Sequence, residues 1–206
     1  MEQIIQHSEA HYDPEGAKLG MWLFIFTELL LFGGLFIVYS IYRFRNPEAF
    51  RLGGEELNLT IGAINTIILL VSSMTIAMST SALQLKNKRL TIVLITITLL
   101  LATVFLINKY FEWGLKIKHG IYPGSAHMLN DFSQGEILFF GLYFVMTGLH
   151  ALHIIIGMIV ILAALYKVQK GTVNADRPSL LDNAGLYWHL VDLIWIFLFP
   201  LFYLIH

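Results

Sequence analysis

Residues 19–42 read LGMWLFIFTELLLFGGLFIVYSIY, and this stretch decides the class of the fold. It contains a single charged residue, Glu28. About 20 apolar residues are enough for a helix to cross a hydrocarbon core roughly 30 Å thick, at about 1.5 Å of rise per residue. Lipid offers no partner to backbone N–H and C=O groups, so a single spanning segment has to be helical. The stretch therefore predicts a transmembrane helix.

Four further apolar runs have the same character, and they cover residues 57–85, 90–111, 137–166 and 187–205. The connections between the runs are short and contain turn signals such as Asn46-Pro47 and Gly53-Gly54. The tight basic turn at residues 86–89 predicts that the second and third helices are antiparallel neighbours. We therefore predict an all-α, integral membrane bundle of five transmembrane helices, forming one domain over residues 1–206.

Composition agrees with this class and excludes others. Hydrophobic residues make up 57% of the chain and charged residues 13%, about half the charged share of a soluble domain. The net charge of −1 argues against a nucleic-acid partner. The absence of cysteine excludes disulfides and thiolate metal sites. Residues 1–18 are polar and acidic and do not predict a signal peptide.

Glu28 is the most unusual residue of the predicted helices, because ionisable groups in a membrane are costly and usually functional. Leu, Phe and Gly residues surround it in the sequence. One interpretation is a proton-linked or partner-contacting carboxyl group. The other is a carboxyl that is hydrogen-bonded to a neighbouring helix. The sequence alone favours neither.

His150 and His153 lie in the fourth run at positions i and i+3, on one face of a helix. Two such histidines could ligate a metal or haem. The other candidate ligands at comparable depth are Glu28 and Asn65, which make a thin set compared with known helical metal sites. We therefore favour interhelical hydrogen bonds made by neutral imidazoles, worth about 0.6–1.7 kcal/mol per contact.

Four other polar positions lie near predicted helix ends. His189 and Asp192 are again i and i+3, and we expect them to pair in an interfacial cluster capped by aromatic residues. Asp192 is expected just below the headgroups. Glu112 and Glu136 flank the long connection between the third and fourth helices, where we expect both to be solvated.

Five spans place the two termini on opposite sides of the membrane. Positive charges of the connections usually lie on the cytoplasmic side. The N-terminal side carries seven Lys and Arg residues and the other side six, a count that includes Lys109 and Lys116. The charge count leaves the orientation open.

Several of these stretches together resemble subunit III of the haem-copper oxidase family. They are KLGMWLF at residues 18–24 with Glu28 and Phe32-Gly33-Gly34, Asn65-Thr66, TGLHALH at residues 147–153 running on to Gly157, YWHLVDLIW at residues 187–195 and, more weakly, YFEW at residues 110–113. The resemblance covers nearly the whole chain, and its last two strong motifs are specific.

The resemblance implies the five-span bacterial form of an accessory subunit of a respiratory terminal oxidase, which couples aerobic electron transport to proton translocation. Such a subunit is not catalytic and carries no haem or copper. These cofactors are expected on its partner, catalytic subunit I. The subunit contacts subunit I and other oxidase subunits, binds phospholipid and supports proton uptake.

The family also implies a place in the membrane and roles for single residues. It implies the bacterial inner membrane, with the N-terminus in the cytoplasm. Glu28 matches the family's buried carboxyl. The remaining polar positions are expected to stabilise the bundle, and they are His150, His153, His189, Asp192, Glu112 and Asn65.

Three alternatives remain at this point. Residues 116–130 depart from the cytochrome c oxidase pattern. The chain could therefore also be an accessory protein of a nitric oxide reductase. A small transporter could use Glu28 as its proton-coupled residue, although no internal repeat is visible. A stand-alone metalloenzyme would need bound metal at His150, His153 and Glu28.

Overall fold

The computed structural model describes residues 14–204, and within that range it is all-α. The helices are α1 (Pro14–Arg45), α2 (Pro47–Glu55), α3 (Leu59–Gln84), α4 (Lys88–Lys118), α5 (Ala126–Asp131), α6 (Gln134–Lys170) and α7 (Ser179–Phe199), followed by a π-helical turn (Pro200–Leu204). Five of them, α1, α3, α4, α6 and α7 with its turn, are long and apolar enough to cross a membrane. The predicted five-helix class is confirmed. We interpreted residues 1–18 as lacking a signal peptide, and most of these residues lie outside the described range. The last residue of the fifth predicted span, residue 205, also lies outside it.

Four of the five long helices begin before their apolar runs, because helix ends are set by capping residues rather than by hydropathy, whereas α3 lies within its run. The Ser133 side chain and Glu136 form a capping box at the start of α6, and Gly171 ends that helix in the left-handed conformation, with φ of 80°. At 37 residues α6 is about 55 Å long, so it must tilt or protrude from a hydrocarbon core of about 30 Å. The largest shift is in α7, which begins at Ser179 instead of residue 187.

Helix α7 lies at the centre of the bundle and packs against α1, α3 and α6. In the most apolar 18-residue stretch of α7, more than half of the residues are buried. In the corresponding stretch of α1, only 11% are buried. Trp188 and Trp195 are its largest buried side chains. Gly157 of α6 permits the close approach, because a Cβ there would lie 2.9 Å from a ring carbon of Trp188. Helix α1 is thus an outer helix with one packed face.

The connection that we predicted as a turn at Gly53-Gly54 is instead the short helix α2. Gly53 serves packing, since a Cβ there would lie 2.4 Å from Phe139 of α6. On the outer face of α2, Arg51 donates a hydrogen bond of 2.7 Å to Glu48. That hydrogen bond lowers the pKa of the Glu48 carboxyl. Helix α2 is therefore an amphipathic element seated on α6.

Pro200 ends the regular part of α7, because proline has no N–H to donate to the preceding turn. The chain continues as the π-helical turn, in which Phe202 and Tyr203 are buried. The hydroxyl of Tyr39 on α1 donates a hydrogen bond of 2.5 Å to the carbonyl of Leu201. This bond satisfies a carbonyl that would otherwise lack a partner near a helix end, and it fixes α1 to the end of α7.

Candidate functional site

Glu28 of α1 and His153 of α6 form a contact between titratable side chains that joins the outer helix to the bundle. His153 Nε2 lies 2.9 Å from Glu28 Oε2. The two side chains are only 9% and 14% exposed. Phe32 covers the imidazole edge-on, with ring centroids 5.4 Å apart. Glu28, the unusual carboxyl of the sequence, therefore has a specific partner.

The other nitrogen of His153 determines how many protons this pair holds. Its Nδ1 lies 2.7 Å from the backbone carbonyl of Leu149, one turn earlier on α6. A carbonyl can only accept, so Nδ1 carries a proton. Hence one proton lies between Nε2 and the carboxylate, giving either an imidazolium with a carboxylate or an imidazole with a carboxylic acid. Both forms are neutral as a pair, and neutrality keeps the cost of burial low.

His150 does not make the interhelical hydrogen bond that we predicted. It is fully buried, and neither ring nitrogen has a hydrogen-bond partner among residues 14–204. Its ring stacks on Trp195 of α7 at a centroid distance of 5.1 Å and meets the edge of Phe105 of α4. The prediction is wrong because aromatic packing, rather than polar pairing, fills this position. In the described part of the chain, no three His, Cys, Asp or Glu side chains form a group that could hold a metal ion.

The structure contains a buried ionic cluster that the sequence did not reveal. Lys109 Nζ donates three hydrogen bonds, to Glu112 Oε2 at 3.0 Å, to the Tyr143 hydroxyl at 3.1 Å and to the Tyr203 hydroxyl at 3.0 Å. Each tyrosine in turn donates to Glu112 Oε1, at 2.7 Å and 2.5 Å. All five N–H and O–H donors thus have partners, and such closed networks hold helices firmly. The cluster joins α4, α6 and the turn after α7.

Two predictions fail at this cluster. Glu112 is 4% exposed rather than solvated, because α4 continues seven residues past the apolar run, to Lys118. Lys109 lies within that run but was counted among the positive charges of one membrane side, whereas it is 3% exposed and lies inside the bundle. The useful signal was the spacing of Lys109, Glu112 and Lys116, which lie three and four positions apart on one helical face. Lys116 is also buried and donates to the carbonyl of Glu56.

The predicted pairing of His189 with Asp192 is wrong as well. His189 Nδ1 lies 2.7 Å from the Ser73 hydroxyl of α3. The Asp192 carboxyl is 3% exposed, and both of its oxygens lack a well-oriented hydrogen-bond donor among the described residues. Because α7 begins at Ser179, Asp192 lies about 20 Å along that helix rather than just below the headgroups.

Of the last two predicted polar positions, one lies at a contact between helices and the other at a helix start. Asn65 of α3 is fully buried and accepts a hydrogen bond of 2.8 Å from the Asn108 side chain of α4. Glu136 takes part in the capping box of α6 and is partly exposed. Of the seven site residues that the sequence predicted, the structure brings only Glu28 and His153 into direct contact.

Comparison with known proteins identifies the family. The family model described as "Cytochrome c oxidase subunit III" matches residues 1–206. The chain belongs to this family. It is a multi-pass membrane protein and a non-catalytic accessory subunit of a haem-copper oxidase complex.

Individual relatives extend over nearly the whole chain. The "Cytochrome c oxidase subunit 3" of Thermostichus vulcanus is 33% identical over 95% of this chain and 90% of its own length. The "Probable quinol oxidase subunit 3" of Staphylococcus saprophyticus is 28% identical over 91% of this chain and 88% of its own. The "Heme-copper oxidase subunit I+III" of Aeropyrum pernix is 33% identical over 94% of this chain, which spans 23% of that longer protein. In that relative the subunit III sequence is fused to subunit I.

Proposed function

We propose that this subunit III binds catalytic subunit I of an oxygen-reducing respiratory oxidase and supports its proton uptake through Glu28 and His153. The observation that carries the proposal is the 2.9 Å contact between these two side chains within the membrane helices, in which Nδ1 of His153 already donates to the Leu149 carbonyl. A proton that moves from Oε2 to Nε2 converts a carboxylic acid and an imidazole into a contact ion pair, so the net charge of the pair stays zero in both forms. Haem and copper are then held by the partner, which performs the electron chemistry.

Contact with subunit I is supported by the relative in which subunits I and III form one chain. The outer helix α1 provides a broad apolar surface for such a contact or for lipid. Its exposed side chains include Leu19, Trp22, Phe26, Leu30 and Ile37. Because Glu28 lies on this same helix, a partner that covers α1 would bring its own groups close to the shared proton.

Phospholipid binding is supported by a groove between the C-terminal end of α1 and the first turns of α6. The groove has a volume of about 720 Å³. Arg45 lies at one end of it, and Leu142 and Val145 are part of its wall. A guanidinium at the end of an apolar groove matches a lipid phosphate followed by an acyl chain.

The buried lysines also bear on orientation. Lys109 and Lys116 lie inside the bundle and do not count as loop charges. Without them, the side that carries the C-terminal end of α1 has four Lys and Arg residues, against seven on the side where α1 begins. This asymmetry supports a cytoplasmic N-terminus in a bacterial inner membrane.

Co-purification from native membranes tests the proposal. The tagged chain and its Glu28→Gln variant are extracted in mild detergent, and the partners and the reduced-minus-oxidised spectrum are recorded for both. A large multi-span partner with haem bands and oxygen reductase activity, present in both samples, supports the proposal. A partner that reduces nitric oxide and not oxygen overturns the oxygen-reducing assignment. A colourless, partner-free chain that drives proton-coupled flux in vesicles overturns the accessory role.

A further inference from the structure

A pocket opens beside the first turns of α7, at the end of the bundle where α1 begins. It has a volume of about 310 Å³ and lies between α1, α3 and α7. Lys18 and Asp182 are the charged side chains of its lining, and His189 is the titratable group that reaches furthest along α7. Helix α3 contributes Ala77 and Thr80, neither of which titrates. The half-buried imidazole of His189 therefore faces an open pocket at this end of the bundle.

Polar contact continues inward from this imidazole. His189 Nδ1 lies 2.7 Å from the Ser73 hydroxyl. Asp192 is 97% buried and lies three residues after His189 on the same face of α7, the face that meets Ser73 of α3. No Lys, Arg or His of the described chain comes within ion-pair distance of Asp192, and its two oxygens have no well-oriented donor there.

The burial of Asp192 and the absence of a counter-charge determine whether its carboxyl carries a proton. An ionised carboxylate buried without a partner is so costly that the group takes up a proton instead. A protonated Asp192 also has an O–H to donate. We propose that Asp192 is a proton-binding site inside the bundle, which exchanges its proton with the aqueous pocket through Ser73 and His189.

The exchange balances as a relay of three proton transfers. With Nδ1 of His189 protonated, that N–H points to Ser73 Oγ, and the serine O–H is free to point to Asp192. The Nδ1–H bond breaks as a new O–H bond forms on Ser73, while the original serine proton passes to a carboxylate oxygen of Asp192. His189 Nε2 takes up a replacement proton from water in the pocket, so the imidazole stays neutral overall. Release follows the same path in reverse.

This site is separate from the Glu28–His153 pair and does not depend on the electron donor of the complex. Infrared spectroscopy of the purified oxidase complex tests it, in the stretching region of the protonated carboxyl C=O group. Isotopically labelled aspartate assigns the band to an aspartic acid. Asp192→Asn is compared with Asp182→Asn, the matched change at the mouth of the pocket.

Transfer into D₂O then measures how fast the acid proton exchanges. The rate is compared between the wild-type complex and the Ser73→Ala and His189→Gln variants. Ser81→Ala, on the exposed face of α3, is the control.

We expect a labelled acid band that Asp192→Asn removes and Asp182→Asn retains. Removal of a relay group should slow its exchange on the order of 100-fold, in the range typical of lost proton-transfer groups, while Ser81→Ala leaves the rate unchanged. Absence of the band in the wild-type complex overturns the proposal, because Asp192 is then ionised. Equal exchange rates in all complexes overturn the relay. If Asp192→Asn fails to assemble, the assigned wild-type band and the two relay variants still decide between these results.

Discussion

Glu28 and His153 share one proton across the contact between α1 and α6, with 2.9 Å between Oε2 and Nε2. The backbone carbonyl of Leu149 fixes the tautomer by accepting from Nδ1. The histidine is therefore oriented by its own helix and meets the carboxyl of a different one. This arrangement supplies both a structural bond and a transferable proton, and substitutions can separate the two roles.

Glu28→Gln should preserve the bond and remove the transferable proton. The amide can still hydrogen-bond to Nε2, so we expect the free energy of unfolding to change by less than about 1 kcal/mol. Proton-linked turnover of the complex should fall several-fold. The measurements are thermal unfolding in detergent and oxygen consumption with proton uptake in vesicles. Glu55→Gln, on the exposed face of α2, is the control. Complete loss of assembly in Glu28→Gln would show that the carboxyl is structural.

His150 and His153 should respond to the same substitution with losses of different size. His153→Phe leaves the Glu28 carboxyl buried without its partner, which should cost about 1–3 kcal/mol of unfolding free energy. His150→Phe replaces a ring that makes only aromatic contacts by another of similar shape, and should change stability by less than about 1.5 kcal/mol. Thermal unfolding of both variants in the same detergent checks this. A larger loss in His150→Phe would indicate a polar ligand at His150.

Lys109→Met should be among the most damaging single changes in the bundle. It leaves Glu112 buried without its counter-charge, a loss of about 3–5 kcal/mol. The double variant Lys109→Met with Glu112→Gln removes the uncompensated charge and should regain a substantial part of that loss. Unfolding midpoints of the single and double variants, measured side by side, test the interpretation. An equal loss in both would mean that packing, rather than charge, determines the cost.

Gly157→Ala should loosen the contact between α6 and α7. The new methyl group would overlap rings of both Trp188 and Tyr187, and overpacking of this kind costs about 1–3 kcal/mol. Gly141→Ala, on the same helix, is the matched control. A Cβ at Gly141 would meet no described neighbouring atom within 4 Å. Proteolysis and thermal unfolding compare the two variants. Equal behaviour would contradict the close approach at Gly157.

The sequence predicted the membrane class correctly, because apolar run length and the need to pair every backbone group in lipid are properties of the chain itself. The same information marked Glu28 as unusual, since carboxyls are rare within spans. Hydropathy could not locate the helix ends. It ended the third helix at residue 111 and left Glu112 beside the loop, whereas α4 continues to Lys118 and carries Glu112 into the bundle.

By itself the sequence determined five apolar helices and, through its motifs, the family. Only the tertiary structure decided the partners of the polar residues. Helical spacing put His189 and Asp192 on one face, but a side chain pairs with whatever a neighbouring helix presents to that face. Here α3 presents Ser73 to His189, α6 presents His153 to Glu28, and α7 presents Trp195 to His150. Those choices depend on the rotation and depth of each helix against its neighbours, which arise from side-chain packing across residues far apart in the chain.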